Sequence, residues 1–461
     1  MASQVTVKNS ITEGVIWKQL LWFFFPILFG TFFQQLYNTV DAVIVGQFVG
    51  KEALAAVGGA TSVLINLVVN MFVGISSGTT VVVSQFYGAQ HYHIVRKAVH
   101  TSIALALAGG AIMTVVGIFF SPAALIAMGT PDDVMDFAVT YIRVFSLGMI
   151  ASFIYNIGSG VLRAIGDTKR PLYFLIAACM TNIVLDLVLV LGLDLGVFGV
   201  ALATLVSQWV SAALVIITLM RSEGCCRLMW RHVRFYPNIL KSILFVGFPA
   251  GLQSDMYSVS NILIQSCINS FGTNTVAAWT AYGKVDGFFW MIMSAYGVSV
   301  TTFVGQNFGA GKYERIHQSV KVCLMMTLGT SICASLLFIT FGQTFLSLFT
   351  PDQDVIQIGL QMMHIIMPFY FTYICVEVLS GAIRGTGQAL IPMLVTGGGV
   401  CLFRVIWIFF ILPLQRSLQF LFASYPISWG LTSLLFIVYY LQGGWLKKQI
   451  ARANFSHKST N

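Results

Sequence analysis

The sequence predicts an all-α integral membrane protein, with twelve transmembrane helices in two parallel six-helix lobes. Three observations lead there. First, 57% of the 461 residues are apolar and only 9% are charged, whereas soluble domains carry about 25% charged residues. Second, the apolar residues fall in runs at roughly 17–40, 56–84, 97–120, 137–161, 171–193, 197–220, 239–266, 277–304, 319–346, 356–382, 391–413 and 419–442. Each is long enough to cross a hydrocarbon core of about 30 Å. Third, the chain repeats itself. Gly160–Gly166, centred on Arg163, returns 221 residues later as Gly381–Gly387, centred on Arg384, and Pro171 and Gln85 recur at the same spacing as Pro392 and Gln306. A duplicated apolar unit points to a transporter whose halves rock against each other.

The charges set the expected topology. Of 25 Lys and Arg residues, 20 lie in the N-terminal segment (Lys8, Lys18), in the even-to-odd connections and in the tail (Lys447, Lys448, Arg452, Lys458). The alternate connections hold only Lys51 and Arg416, and carry Asp132, Asp133, Asp136, Asp194, Asp352 and Asp354 instead. The positive-inside rule then places both termini in the cytoplasm. The net charge of +9 is topological, so no nucleic-acid partner is expected. Six crossings per repeat bring both halves in from the same side, which makes the repeats parallel. The expected divisions are a cytoplasmic segment 1–16, an N-lobe 17–220, a basic linker 221–238, a C-lobe 239–442 and a cytoplasmic tail 443–461.

Smaller features fit this frame. No small-residue cleavage site follows the first apolar run, so no signal peptide is expected. Residues 11–20 read as a short amphipathic helix on the cytoplasmic face. The eight cysteines show no metal-ligand spacing, and six of them lie in spans, where packing is the ordinary role. Cys225 and Cys226 lie in the linker and face a reducing cytoplasm.

Charges within the spans need a reason, because an ionised group at the bilayer centre costs about 2.5–3.5 kcal/mol on insertion scales. The first half holds Asp41 and Asp186 in its spans and no basic residue in its membrane core. Helical rise puts Asp186 about 22 Å from the inner face, since it follows Pro171 by fifteen residues. Asp41 and Thr204 also fall in the outer half. Asn182 and Asp186 are i, i+4 neighbours on one helix face. Asp41, Asn182, Asp186 and Thr204 can therefore converge on one polar pocket, while Asn156 is deeper and fits less well. Two acids without a basic partner suit a proton site, or a Na⁺ site completed by Asn and Thr oxygens. The competing reading is a protonated, hydrogen-bonded Asp with a packing role.

The second half carries Asp255, Lys284, Asp286, Glu377 and Arg404 in its spans. Acids and bases can pair there, so either a salt-bridge network or a binding site is expected. Pro26 and Pro249 sit early in the first span of each half and should kink those helices, as should Pro368 in span ten. Aromatic and Met residues supply a candidate cavity wall, with Tyr37, Met71, Trp279, Phe289, Met293 and Tyr373 foremost. Cation–π contacts and adaptable Met side chains suit bulky cations.

These residues resemble the MATE (multidrug and toxic compound extrusion) family, in its NorM/DinF-like bacterial branch. The resemblance rests on Leu36-Tyr37-Asn38-Thr39-Val40-Asp41 with Val45-Gly46, on Leu162-Arg163-Ala164-Ile165-Gly166-Asp167-Thr168-Lys169 ahead of Pro171, and on the Gln-containing turns at 85–89 and 306–310. It implies a V-shaped pair of lobes around a central cavity, and alternating-access efflux of amphiphilic, often cationic compounds driven by inward H⁺ or Na⁺. It assigns a first-lobe cation site to Asp41, Asn156, Asn182, Asp186 and Thr204, and a bending role to Pro26. It also places acids on spans seven and ten of some members, near Asp255 and Glu377 here.

The functional expectation is a monomeric antiporter of the plasma membrane, with no cofactor beyond the coupling ion. The alternative is an exporter or flippase of a lipid-linked oligosaccharide or polysaccharide, which needs cationic residues in its cavity and has only Lys284 and Arg404 as core candidates. An embedded enzyme would need a nucleophile–base pair or a metal triad, and His100 and His364 are isolated.

Overall fold

The computed structural model describes residues 10–458, with backbone alone for Ser10, Lys51 and residues 452–458. Lys8, counted above with the basic N-terminal segment, lies outside the described residues. The helices are α1 (Ser10–Glu13), α2 (Ile16–Ile44), α3 (Lys51–Gly58), α4 (Ala60–Gly88), α5 (Tyr92–Ala127), α6 (Asp132–Leu147), α7 (Met149–Ala164), α8 (Lys169–Asp186), α9 (Gly196–Arg221), α10 (Pro237–Asn269), α11 (Thr273–Gly309), α12 (Tyr313–Thr340), α13 (Gly342–Ser347), α14 (Gln353–Ile366), α15 (Ile374–Gly385), α16 (Leu390–Thr396), α17 (Phe403–Ile406), α18 (Leu418–Leu441) and α19 (Gly444–Lys458).

Among the described residues, ten helical stretches are long and apolar enough to cross a membrane. An eleventh is α6 with α7, bent by 49°. At the break Gly148 lies close to α9, where an added Cβ would come within 2.0 Å of Oε1 of Gln208. The remaining run is α10, a 33-residue helix made less apolar by Gln253, Ser254, Asp255, Ser258, Ser260 and Asn261. Large apolar side chains point outward along the spans, with Phe119, Phe120, Phe410 and Leu441 all more than 60% exposed. Lipid is the solvent such a surface requires, and helices satisfy their own backbone within it.

The chain forms two compact units that do not coincide with its two halves. One, the N-unit, is Phe25–Gly251; the other, the C-unit, joins the described residues up to Phe24 with those from Leu252 onward. Helices α2 and α10 therefore each begin in one unit and end in the other, and both change over beside their proline, Pro26 or Pro249. Both helices continue through these prolines. Pro368 acts more sharply: α14 stops at Ile366 and a 3₁₀ stretch, Met367–Thr372, precedes α15.

Within the N-unit, α8 lies along α9, and α7 packs on α4, α5 and α9. Phe72 and Phe153 stack at the centre with ring centroids 3.4 Å apart. Helix α4 meets the first part of α10 backbone to backbone. A Cβ on Gly74 would come within 2.1 Å of the Gly251 nitrogen, and one on Gly78 within 2.4 Å of the Ile243 carbonyl oxygen. Small residues four apart allow this approach, which lipid-embedded helices use in place of hydrophobic driving force.

Within the C-unit, α11 packs on α12, α14 and α15. The first part of α2 joins it through aromatic contacts, Phe23 with Phe303 at 5.8 Å and Phe24 with Tyr296 at 4.3 Å. The single amphipathic helix expected over residues 11–20 is not formed. Lys312 donates to the Thr12 carbonyl at 3.0 Å, and Arg315 to the carbonyls of Ile11, at 3.2 Å, and Gly14. These cations cap α1 after one turn, and Trp17–Leu20 belong to α2.

Candidate cation-coupling site

Four polar side chains meet inside the N-unit. Asp41 stands near the end of α2, Asn182 and Asp186 on the last turns of α8, and Thr204 on α9. Their exposures are 5%, 0%, 0% and 3%. The Thr204 hydroxyl donates to Asp41 Oδ2 at 3.2 Å, and Asn182 and Asp186 lie beside the same carboxyl. The local sequence explains the convergence. The i, i+4 spacing stacks Asn182 under Asp186, and α8 runs against α9, which brings Thr204 to the same level. A π-helical turn follows each acid, Val45–Val49 after Asp41 and Leu187–Gly192 after Asp186. Such turns are frequent at functional sites.

Hydrogen bonding in this pocket is incomplete. Asp41 Oδ1, both carboxyl oxygens of Asp186 and both amide atoms of Asn182 are buried without a hydrogen-bond partner. Among the described residues no Lys or Arg forms an ion pair with either acid. Buried polar groups normally find partners, so a set of carboxyl and amide oxygens this incompletely bonded is suited to receive a further ligand. Carboxylate, amide and hydroxyl oxygens are the donor set of a hard monovalent cation, and equally of a proton.

Two further residues border the acids. Tyr37, one helical turn before Asp41, lies half-buried beside it. Tyr141 of α6 is buried next to Asp41, Asp186 and Thr204. Sequence reasoning does not find Tyr141, since one tyrosine in an apolar span looks like any interfacial aromatic. Asn156 stands apart from this group: its amide donates to the Ser152 carbonyl on its own helix at 2.8 Å, in line with its deeper position.

Of the two arrangements open for the charged residues of the C-unit, a salt-bridge network is not formed. Among the described residues no ion pair joins Asp255, Lys284, Asp286, Glu377 or Arg404. Lys284 is exposed, whereas Asp286, two residues on, turns inward, as i, i+2 positions on a helix must. Asp286 is saturated with donors instead: Tyr370, Tyr282 at 3.3 Å and the Trp290 indole at 2.7 Å. Glu377 accepts from Tyr373 at 3.2 Å. Arg404 lies 4.0 Å above the Tyr425 ring and donates to Ser428 and Asn261. Asp255 is half-buried, with Oδ1 unpartnered.

The candidate cavity residues divide in the same way. Phe289 and Met293 are wholly buried in the C-unit, Phe289 stacking on Tyr370 at 3.7 Å. Trp279 stacks on Tyr282 and Phe422, and Tyr373 is bound to Glu377. In the N-unit, Met71 is half-buried where α4 passes Gly251.

Comparison with known proteins agrees with this architecture. The sequence profile of the MatE family matches residues 26–188 and 249–410, one match per repeat. A probable multidrug resistance protein of Bacillus subtilis, YoeA, is 28% identical, covering 97% of this chain and 98% of its own. A probable multidrug resistance protein of Thermotoga maritima, NorM, is 25% identical over 84% of each. The solved structure of a MOP superfamily transporter from Pyrococcus furiosus superposes with a TM-score of 0.89 at 21% identity, covering 96% of this chain and 99% of that one. With both repeats matched by the profile and the same fold throughout, the chain belongs to the MATE family of membrane transporters.

Proposed function

We propose that the chain is a secondary antiporter that exports amphiphilic, often cationic organic compounds across the plasma membrane as a monomer, with both termini in the cytoplasm. Inward H⁺ or Na⁺ drives it through the N-unit quartet. The observation that carries this reading is the burial of Asp41 and Asp186 side by side with no base and too few donors. Such a pair is stable with a proton or cation bound and strained without one. An ion that binds better in one access state than in the other shifts the balance between them by that difference in affinity, and substrate shifts it back. Thr204 orients Asp41, and Asn182 offers its amide oxygen to the same ion. The multidrug resistance names of the relatives support drug-like substrates. An anionic lipid-linked substrate fits less well, because Arg404 is already engaged with Tyr425, Ser428 and Asn261.

The test is ethidium efflux from vesicles with H⁺ and Na⁺ gradients imposed separately. Asp41→Asn and Asp186→Asn should each abolish gradient-driven efflux at unchanged expression. Normal export by either variant would defeat the assignment.

A further inference from the structure

The linker between α9 and α10 is a docked segment. The Leu228 amide donates to the Leu219 carbonyl at 2.9 Å, the Met229 amide to His100 Nε2 at 3.1 Å and the Tyr236 amide to Thr101 Oγ1 at 3.3 Å. Arg96 reaches the Gly224 carbonyl at 3.4 Å. On this segment the sulfurs of Cys225 and Cys226 lie 3.8 Å apart, and both cysteines are free. Consecutive side chains of an extended chain point to opposite sides. The turn entered through Gly224, whose φ of +117° favours glycine, folds these two to the same side.

We propose that Cys225 and Cys226 form a dithiol site that captures trivalent organoarsenic compounds. The chemistry needs no redox partner. An arsenoxide R–As=O loses its oxygen as water, taking up the two thiol protons, while two As–S bonds form. Arsenic stays trivalent, and the Sγ–Sγ spacing is close to that of two sulfurs on one arsenic atom.

The two thiols are suited to successive attack. The hydrogen bond from Cys226, helped by the Arg96 guanidinium, pulls the Cys225 thiol below its usual range. The same pairing and burial push Cys226 up. Cys225 is half-buried and Cys226 is 3% exposed, so the more reactive sulfur is also the more accessible. Ligand number selects the class. Among the described residues no three His, Cys, Asp or Glu side chains gather as a metal site. A zinc-like ion that needs four ligands is not served, whereas an organoarsenic centre needs two sulfurs and brings its own carbon.

The experiment treats the reduced full-length protein in detergent with phenylarsine oxide, followed by peptide mapping. One phenylarsenic group should map to the peptide holding Cys225 and Cys226. It should survive excess 2-mercaptoethanol and be released by 2,3-dimercaptopropanol, the signature of two bonds to one chain. In Cys225→Ser or Cys226→Ser, monothiol resistance should be lost. Arsenic on any other cysteine in the wild type, a wild-type adduct stripped by monothiol, or resistance persisting in a single variant would each overturn the site. The wild-type map alone decides the matter if a serine variant folds poorly.

Discussion

The two repeats treat the same positions in opposite ways. At the 221-residue spacing, Asn182, Asp186 and Thr204 of the N-unit become Phe403, Trp407 and Tyr425 of the C-unit. Asp41 becomes Ile264 at the 223-residue spacing of Pro26 and Pro249. The backbone irregularity is kept, with a π-helical turn at Leu187–Gly192 and another at Trp407–Ile411. The chemistry is not. One copy leaves oxygens without donors; the other fills the space with aromatic rings, over which Arg404 stacks. The C-unit has its own inward-facing acid, half-buried, but Asp286 receives three donors. An inward position within a span therefore does not by itself mark a coupling carboxylate. The balance of donors around it does.

The largest effect should come from making the N-unit resemble its counterpart. Replacing Asp41 and Asp186 together by Leu should eliminate gradient-driven efflux while leaving the melting temperature in detergent unchanged or raised, since removing buried charges in favour of apolar groups is often neutral or stabilising. A collapse of the melting temperature would make the quartet structural. Next in size, Asp286→Ala should strand the Trp290 indole and one of the Tyr282 and Tyr370 hydroxyls, which lie 3.3 Å apart and can bond each other, at about 1–3 kcal/mol for each orphaned donor. Its melting temperature should fall by several degrees while the ion dependence of transport stays; loss of that dependence would put the coupling site in both units. The smallest change is Thr204→Ala. It removes one hydrogen bond to Asp41, worth about 1 kcal/mol, and should weaken apparent ion affinity roughly fivefold, read from the ion concentration giving half-maximal efflux.

Much of this was legible before any coordinates. Apolar runs delimited the crossings because each must satisfy its own backbone in lipid, and counting residues from Pro171 placed Asp186 at the depth of Thr204. By the same count Asn156, kept among the candidates, fits least well, and its amide bonds to Ser152. What stayed hidden depends on which helices meet. Tyr141 joins the acids only because α6 packs on α9. Whether the C-half acids and bases pair could not be read from their order along the chain: Lys284 and Asp286 are two residues apart, yet the helix turns them to different sides. The close neighbour of Gly148 at the bend is Gln208, sixty residues away. No periodicity reports a partner on another helix.

The change of unit beside Pro26 and Pro249 bears on how the chain is made. While the first repeat leaves the ribosome, the opening turns of α2 lack their contacts with Tyr296 and Phe303, which have yet to be synthesised. The nascent N-unit likewise waits for Gly247 and Gly251 to fill the groove at Gly74 and Gly78. Neither bundle can mature on its own, and a nonsense truncation after α9 would yield an incomplete fragment with exposed seams, a natural substrate for quality-control proteases.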